Sequence, residues 1–320
     1  MMKHGLLLTF FGKMQDRFCT YQQPMSLLDK LEHAARVPGA AGVELIYPNE
    51  CLEDLDLQGA LQRFHLVPAA INVNIKGDPS FVSGALSSPD ETIRRRAVQF
   101  IIEAKEFARK LGCERVTCAP LADGFDYPFQ VHYQSAWRRI VECLQEAADA
   151  IPEIVLHLEH KPAEPRIRGF LDSAAKVVRL CHDVDRPGIG ITFNLGHSLF
   201  DGGSPAQEFA LVLDANRPCY VHFNDGMVNW DWDLAAGSNR TWQLIEFLFY
   251  AKEAGYDGWF TADTLPLRQD AVEVFASNIR VTNRIWEWLD SADSRTLRES
   301  FHRNDALAGL GEIAKWMFQN

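Results

Sequence analysis

GIGITFNLGH, residues 188–197, is the stretch that decides the fold. It is a short, nearly continuous apolar run that ends in the polar residues Asn194 and His197. Strands that are apolar on both faces are typical of a parallel sheet that helices cover on both sides. Seven similar runs occur along the chain: GLLLTFFG (5–12), GVELIYP (42–48), VPAAINVNI (67–75), RVTCAP (115–120), EIVLHLEH (153–160), CYVHFND (219–225) and GWFTADT (258–264).

Segments with a helical spacing of apolar residues separate most of these runs, at residues 25–37, 90–111, 133–151, 170–184 and 242–255. Eight strand–helix units in about 290 residues fit a closed (β/α)8 TIM barrel better than an open sheet. No GxGxxG motif follows the first run, so a dinucleotide-binding fold loses its main support. We therefore predict an α/β TIM barrel over residues 1–290. Residues 291–320 are a C-terminal helical extension of the same domain, which packs on the barrel or reaches a neighbouring subunit.

The composition excludes several classes of protein. With 47% hydrophobic and 23% charged residues, the chain is expected to fold into a globular protein. Its 32 basic and 43 acidic residues give a net charge of −11, which argues against nucleic acids and anionic membranes as partners. No run of 18 apolar residues and no signal peptide is visible, so we predict a cytoplasmic location. Seven scattered cysteines without CxxC spacing predict free thiols in a reducing compartment.

Polar residues gather where the last four strands end, and barrel enzymes place their chemistry at this end of the strands. Glu159, Asn194, His222 and Asp263 each lie near the end of a successive strand, about one strand–helix unit apart. A carboxylate within an apolar run such as that of Glu159 costs several kcal/mol unless it is paired or metal-bound. An ion pair between Glu159 and Lys161, or across strands, is the alternative for this one residue. Four donors in register favour a metal site.

Two carboxylates, an amide oxygen and an imidazole suit an octahedral divalent ion. We therefore predict Mn²⁺, Mg²⁺ or Co²⁺ as the cofactor, with Zn²⁺ as a further option, and we disfavour a structural zinc site because no thiolate is available. The charges of Glu159 and Asp263 balance that of the ion. This arrangement leaves positions open for two substrate oxygens.

Three motifs resemble those of xylose isomerases. LEHKPAEPR (158–166) resembles the family's EPKPxEP motif, which implies a metal-ligand role for Glu159 and a catalytic role for Lys161. WDWD (230–233) resembles WDTD, whose aspartates hold a second metal in that family; the corresponding residues are Asp231 and Asp233. NLGH (194–197) resembles ExNH, with His197 at the histidine and Asn194 at the metal-bridging glutamate.

The whole chain is similar to the broader superfamily of xylose-isomerase-like barrels, which includes ketose 3-epimerases, rhamnose-type isomerases, inosose dehydratases and endonuclease IV. The epimerase branch holds its metal with Glu, Asp, His and Glu, where this chain has Glu159, Asn194, His222 and Asp263. Asn194 thus stands where the relatives have a carboxylate, and Asp263 is one methylene shorter. No histidine follows the second strand, where xylose isomerases keep a His–Asp pair for ring opening.

The leading hypothesis is a metal-dependent isomerase or epimerase that acts on a sugar by proton transfer at a metal-chelated hydroxy-carbonyl group. Glu159 and Asp263 are the expected proton-transfer pair, and Lys161 assists at the carbonyl oxygen or only compensates charge. The expected substrate-binding residues are His197, Asp231, Asp233, Arg166 and Trp230. Because no glycine-rich phosphate cradle is visible, an unphosphorylated sugar is favoured. The protein is expected to be a homo-oligomer, a dimer or tetramer.

Three other functions remain as alternatives. A metal-dependent lyase or dehydratase acting on a sugar or an inosose shares the proton abstraction, and the sequence barely separates it from an isomerase. A phosphodiesterase of the endonuclease IV kind is disfavoured, because ten histidines and a net charge of −11 do not suit a trinuclear zinc cluster and a DNA-facing surface. A non-catalytic sugar-binding barrel is disfavoured because binding alone does not need a metal site.

Overall fold

Eight parallel strands form a closed barrel in the computed structural model, which describes residues 2–51, 55–164 and 167–318. The strands follow one another around the barrel in chain order, and the last pairs with the first. They are β1 (Lys3–Leu7), β2 (Ala40–Tyr47), β3 (Val67–Val73), β4 (Arg115–Cys118), β5 (Val155–Glu159), β6 (Ile189–Asn194), β7 (Cys219–Phe223) and β8 (Trp259–Ala262). Each overlaps one of the eight predicted runs, so the predicted (β/α)8 barrel is confirmed.

Helices connect the strands and surround the barrel. They are α1 (Leu27–Ala35), α2 (Leu57–Arg63), α3 (Glu91–Leu111), α4 (Tyr133–Ala150), α5 (Ala174–Val184), α6 (Leu195–Asp201), α7 (Pro205–Asp214), α8 (Thr241–Glu253), α9 (Ala271–Asp290), α10 (Arg295–His302) and α11 (Ala306–Phe318). All five predicted helical segments are confirmed as helices. Within the described ranges, no helix combines the length and apolar character that a bilayer crossing requires.

Helix α3 shows why these segments fold as helices. Its buried residues repeat at intervals of three and four, which places them on one face: Ala97, Val98, Ile101, Ala104 and Ala108. The side chain of Asp90 caps the first turn by accepting a hydrogen bond from the backbone N–H of Thr92. Gly112, at φ 76°, ends the helix in the left-handed conformation that favours glycine.

The register of the strands brings polar residues to one mouth of the barrel. Asn194, at the end of β6, lies opposite His222 of β7. Thr192 lies opposite Glu159, the last residue of β5. Asp263 directly follows the last residue of β8. The carboxyl ends of four successive strands therefore meet with their polar side chains at the same mouth.

Short antiparallel strands follow several barrel strands at this mouth. They are Met14–Gln15 paired with Thr20–Gln22 after β1, Gly124–Phe125 and Ala163–Glu164 on either side of Ile167–Gly169, and Asp225–Met227 paired with Trp230–Leu234 after β7. The last of these hairpins carries Asp231 and Asp233. The two aspartates of the WDWD motif thus belong to a β-hairpin beside the barrel mouth.

The C-terminal extension consists of helices α10 and α11, as predicted, and it packs on the barrel's own helices. Phe301 of α10 makes edge-on contacts with Phe249 and Tyr250 of α8, with ring centroids 5.2 and 5.5 Å apart. Trp316 of α11 stacks on Trp288 of α9 at 4.6 Å. These aromatic contacts join the extension to the barrel layer of α8 and α9.

The cysteines are free thiols, as the sequence predicted. All seven lie in the described part of the chain; Cys19 is exposed, Cys219 is partly buried, and the other five are buried. Burial raises the pKa of Cys118 and Cys181, each to about 12. These thiols are therefore protonated at neutral pH and serve as small apolar core residues.

Candidate active site

A cavity of about 310 Å³ opens at the mouth where the strands end. Seven residues that the sequence predicted as site residues line it: Glu159, Lys161, His197, His222, Asp231, Asp233 and Asp263. They come from four barrel strands or the segments that directly follow them. The strand ends and the WDWD hairpin thus contribute to one site.

Glu159, His222 and Asp263 form a compact group at this mouth. Each offers one ligand atom, and these atoms lie within 4.8 Å of one another. The Nδ1 atom of His222 is 3.1 Å from Glu159 Oε1 and 3.8 Å from Asp263 Oδ2. All three side chains are buried. Two carboxylates and an imidazole in this arrangement fit the donor set of a divalent metal ion.

The charges of this group depend on one another. Burial lowers the pKa of His222, but Glu44 and Glu159 outweigh it and hold that pKa well above its ordinary value. Burial raises the pKa of Glu159, but His222 outweighs it and holds that pKa below its ordinary value. Burial raises the pKa of Asp263, and the opposing effect of His222 does not cancel it. Three buried carboxylates around one imidazole create a site that favours a cation.

Asn194 lies between the two carboxylates of this group. Its Nδ2 donates hydrogen bonds to Glu159 Oε1 at 2.9 Å and to Asp263 Oδ2 at 2.8 Å. Its Oδ1 accepts a hydrogen bond from the backbone N–H of His197 at 3.1 Å, which makes Asn194 the N-cap of α6. A backbone N–H can only donate, so the cap determines which way the amide points. The amide presents its nitrogen to the carboxylates, and its oxygen would face them only if the group rotated.

Lys161 is held by two carboxylates at the edge of the cavity. Its Nζ lies 2.6 Å from Asp231 Oδ2 and 2.6 Å from Glu164 Oε2. Burial lowers the pKa of Lys161, but Asp231 and Glu164 outweigh it and raise that pKa above its ordinary value. Lys161 is therefore an ammonium throughout the neutral range. Glu159 and Lys161 make no ion pair, since Lys161 pairs with other carboxylates. The other form of the alternative, an ion pair across strands, is present between Glu159 Oε1 and His222 Nδ1 at 3.1 Å.

His197, Asp231 and Asp233 form a second polar group in the cavity. The Nδ1–H of His197 donates to the carbonyl oxygen of His160 at 2.7 Å, and its Nε2 lies 3.4 Å from Asp231 Oδ2. Asp233 Oδ1 accepts a hydrogen bond from Asn224 Nδ2 at 2.7 Å. Burial raises the pKa of Asp233 well above its ordinary value, and the neighbouring Asp231 adds to this effect. Burial also raises the pKa of Asp231, but His197 and Lys161 outweigh it and hold that pKa below its ordinary value, so the pKa values of the two aspartates are shifted in opposite directions.

Two predicted substrate-binding residues remain to be considered. Arg166 lies outside the described residues. Trp230 is on the hairpin after β7, is 52% exposed, and is absent from the cavity wall formed by the described residues. Their roles stay predictions from the sequence.

The opposite wall of the cavity is mainly apolar and comes from the first four strands. Its residues include Leu7, Phe10, Ile46, Val73 and Leu121. Sequence reasoning assigned no role to these side chains, because apolar residues in barrel strands are ordinarily core. The second half of the barrel thus supplies a charged wall. The first half supplies a second wall, here called the apolar wall, which carries all of the described apolar lining residues together with the polar Thr9, Asn72, Asn74 and Lys76.

Glu44 of β2 is a polar residue to which sequence reasoning assigned no role. It is fully buried, and its Oε2 accepts a hydrogen bond from His222 Nε2 at 2.8 Å. The signal was present, because Glu44 interrupts the apolar run GVELIYP just as Glu159 interrupts its own run. Glu44 therefore contacts the candidate metal-binding group from behind.

Comparisons with known proteins identify relatives of this chain. The profile of a family described as a xylose isomerase-like TIM barrel matches residues 31–284. The xylose isomerase of Thermus thermophilus is 26% identical over 220 residues, which cover 67% of this chain and 57% of that enzyme. The chain therefore spans little more than half the length of that relative. A probable sugar isomerase of Mesorhizobium japonicum is 30% identical over 316 residues, covering 91% of this chain and 71% of that protein.

Solved structures support the fold. A D-tagatose 3-epimerase-like protein superposes with a TM-score of 0.71 at 20% sequence identity. The match covers 90% of this chain and 98% of that protein. At this level of identity, the likeness extends to the barrel and its connections.

Proposed function

Because the chain belongs to the xylose isomerase-like TIM barrel family, we propose that it is a metal-dependent isomerase or epimerase of a small sugar. The observation that carries this proposal is the convergence of Glu159, His222 and Asp263 at the mouth of the barrel, with ligand atoms within 4.8 Å of one another. The two relatives described above are named a xylose isomerase and a probable sugar isomerase. The activity is therefore proposed from the family and from the chemistry of these residues.

In this proposal, Glu159, His222 and Asp263 hold the ion, which is Mn²⁺, Mg²⁺ or Co²⁺, with Zn²⁺ as the further option. Asn194 joins them as a ligand only if its amide rotates and gives up the cap of α6. A bound divalent ion would polarise the hydroxyl and carbonyl oxygens of the sugar and so acidify the carbon between them.

Glu159 and Asp263 are the proposed proton-transfer pair. Their Oε1 and Oδ2 atoms contact Asn194, whereas Glu159 Oε2 and Asp263 Oδ1 accept no hydrogen bond from the described side chains. Each carboxylate thus keeps one oxygen that can face a substrate carbon. The two carboxylates follow different strands, so they approach a bound sugar from different directions.

The remaining polar residues are proposed to bind and orient the sugar. The Lys161 ammonium provides a fixed positive charge beside a substrate oxygen, and this charge is held in place by Asp231 and Glu164. His197 Nε2 and Asp231 offer hydrogen bonds to sugar hydroxyl groups. Asp233 is also proposed to form a hydrogen bond with a sugar hydroxyl group. In the alternative arrangement, Asp231 and Asp233 hold a second ion. Arg166 and Trp230 remain proposed substrate contacts on the strength of the sequence alone.

A lyase or dehydratase acting on a sugar or inosose is the second candidate, since it would use the same proton abstraction. The names of the related proteins favour isomerisation over elimination. The cytoplasmic location and the homo-oligomeric state stay predictions.

One experiment tests the proposal and separates the candidates. The protein, loaded with Mn²⁺, is incubated in D2O with aldoses, ketoses and inososes, and products are followed by NMR. We expect an isomerised or epimerised sugar, no turnover after EDTA treatment, and no Mn²⁺ binding or turnover in the Glu159→Gln variant. Glu208→Gln, which alters a carboxylate on α7, is the matched control and should behave as the wild type.

The isotope result distinguishes the routes. Deuterium in the product supports proton transfer by the carboxylates, whereas its absence would indicate a hydride shift. Loss of water from the sugar would indicate the lyase. Full turnover by the EDTA-treated protein would refute a metal-dependent mechanism.

A further inference from the structure

Glu44 is a carboxylate inside the barrel that the proposed chemistry does not use. It lies in β2, its side chain is 0% exposed, and no lysine or arginine pairs with it among the described residues. Burying an ionised carboxylate costs several kcal/mol unless hydrogen bonds and an opposite charge compensate it. Its presence at this position therefore calls for a physical reason.

Three side chains from other strands hold Glu44 in place. Asn72 Nδ2 of β3 donates to Glu44 Oε1 at 2.7 Å, and the hydroxyl of Tyr220 of β7 donates to Oε2 at 2.8 Å. His222 Nε2 is the third donor, also at 2.8 Å from Oε2. Both carboxylate oxygens are thus engaged, so the side chain has a single position relative to His222.

Close packing of the neighbouring strands keeps this network rigid. The hydroxyl of Tyr220 also lies 2.5 Å from Thr261 Oγ1 of β8. Gly5 of β1 leaves the room that Thr261 needs, because a Cβ at residue 5 would clash with Thr261 Oγ1. Residues of four other strands, β1, β3, β7 and β8, therefore cooperate to hold the carboxylate of Glu44 behind His222.

The consequence for His222 follows from the direction of its hydrogen bond. An ionised carboxylate only accepts, so Nε2 of His222 must carry a hydrogen when it contacts Glu44. In the neutral imidazole, the lone pair is then on Nδ1. Nδ1 is the atom that faces Glu159 at 3.1 Å and Asp263 at 3.8 Å.

We propose that Glu44 is a positioning residue for the metal site, because it holds the imidazole of His222 with its Nδ1 lone pair aimed between Glu159 and Asp263. The inference rests on the proposed function, in which these three residues hold a divalent ion. A carboxylate behind a histidine ligand determines which nitrogen is free and makes that nitrogen a stronger donor. If Glu44 served only to stabilise the barrel, its removal would change the stability and leave the affinity for the ion unaltered.

The test is isothermal titration of the metal-free, full-length protein with Mn²⁺. We expect Glu44→Ala to weaken Mn²⁺ binding by roughly 10- to 100-fold, the range typical for loss of such a partner. Glu44→Gln, whose amide oxygen still accepts from Nε2–H, should bind several-fold more weakly than the wild type and more tightly than Glu44→Ala. Thr117→Val is the control, since it removes a buried barrel hydroxyl that pairs with Thr192 at 2.6 Å, and it should bind as the wild type does.

A second readout follows the histidine itself. In the Co²⁺-loaded protein, the visible absorption bands should shift in Glu44→Ala and stay close to those of the wild type in Glu44→Gln. Equal Mn²⁺ affinity for the wild type and both variants would overturn the positioning role and leave the proposed function intact. No Mn²⁺ binding by the wild type would overturn both. If Glu44→Ala does not fold, unaltered affinity in Glu44→Gln is the result that refutes the inference.

Discussion

The two halves of the barrel contribute different chemistry to the same cavity. Strands β5 to β8 and the segments after them supply the charged wall, with Glu159, Lys161, His222 and Asp263. Strands β1 to β4 and the segments after them supply the apolar wall, which includes Ile46. The difference teaches that charge and apolar surface are divided along the chain. The second half supplies the carboxylates of the cavity, while the first half supplies its apolar residues and contacts His222 from behind through the buried Glu44.

Outside the candidate metal-binding group of Glu159, His222 and Asp263, the largest effect on activity is expected from the charged wall at Lys161. Replacing it with Met removes an ammonium that Asp231 and Glu164 hold in the cavity. Because a positive charge acts mainly on the charge that develops in the transition state, Lys161→Met should lower kcat by roughly 100-fold and raise KM much less. Steady-state kinetics of the Mn²⁺-loaded protein measure this.

Lys176→Met is the control for this variant, since Lys176 pairs with Asp172 on the surface. Thermal unfolding of both variants would show whether the protein remains folded. A higher KM with an unaltered kcat would assign Lys161 to substrate binding alone.

Asn194 offers a way to strengthen the charged wall. Asn194→Asp replaces the amide nitrogen, which now donates to Glu159 and Asp263, with a third carboxylate oxygen. Without metal the added charge should repel its neighbours and lower the melting temperature. With metal it should become a ligand, so the affinity for Mn²⁺ should rise about 10-fold, corresponding to about 1.4 kcal/mol.

Calorimetric titration and thermal unfolding with and without Mn²⁺ check both effects. Asn224→Asp is a comparison variant, because Asn224 contacts Asp233 and not the carboxylates of the candidate metal site. Unaltered Mn²⁺ affinity in Asn194→Asp would place residue 194 outside the coordination of the ion.

The sequence predicted the barrel well because each strand is a nearly continuous apolar run, and such runs depend on local composition alone. It also predicted that Glu159, His222 and Asp263 meet, since the ends of parallel strands in a closed barrel must share one mouth. The partners of Lys161 could not be predicted. They depend on how the hairpin after β7 folds back over the mouth, and this is a long-range contact.

Two local signals could have been interpreted further. Asn194 directly precedes α6, and asparagine is a strong N-cap residue. The sequence therefore also indicated that the side-chain oxygen of Asn194 caps the helix, which competes with its use as a metal ligand. Glu44 is a carboxylate within an apolar run, as Glu159 is. Its hydrogen bond to His222 joins side chains of β2 and β7, and nothing in the local sequence indicates that pairing.

The apolar wall should affect binding more than chemistry. Phe10 lies in the short 3-10 turn after β1 and lines the cavity. Truncation in Phe10→Ala removes apolar contact area, so KM should rise a few-fold while kcat stays within about twofold of the wild type. Phe18→Ala is the matched control, because Phe18 is exposed on the neighbouring hairpin. A large loss of kcat in Phe10→Ala would contradict the division between the two walls.

The smallest effect on activity is expected at the other buried lysine, which belongs to the first half. Lys105 of α3 is fully buried, and its Nζ donates to the carbonyl oxygens of Ala147 and Ala148 at 2.7 and 3.2 Å, at the end of α4. Unlike Lys161, it makes no close ion pair with a carboxylate among the described residues. Burial therefore lowers the pKa of Lys105 to about 8, from an ordinary value of 10.5.

Lys105→Met should leave kcat and KM unaltered and change how stability depends on pH. Below about pH 8 the folded and unfolded chains both hold the proton, so the cost of burying the ammonium is fully present. Between about pH 8 and 10.5 the unfolded chain binds more protons than the folded one, so this cost fades as the pH rises. As the pH rises through this interval, the free energy of unfolding of the wild type should therefore increase relative to that of Lys105→Met. The variant Lys110→Met, which alters an exposed lysine, should show no such trend. Urea unfolding at pH 7 to 10.5 measures these free energies of unfolding. If the free energy of Lys105→Met follows that of the wild type in parallel over this range, as is expected for Lys110→Met, the lowered pKa of Lys105 in the folded state is refuted.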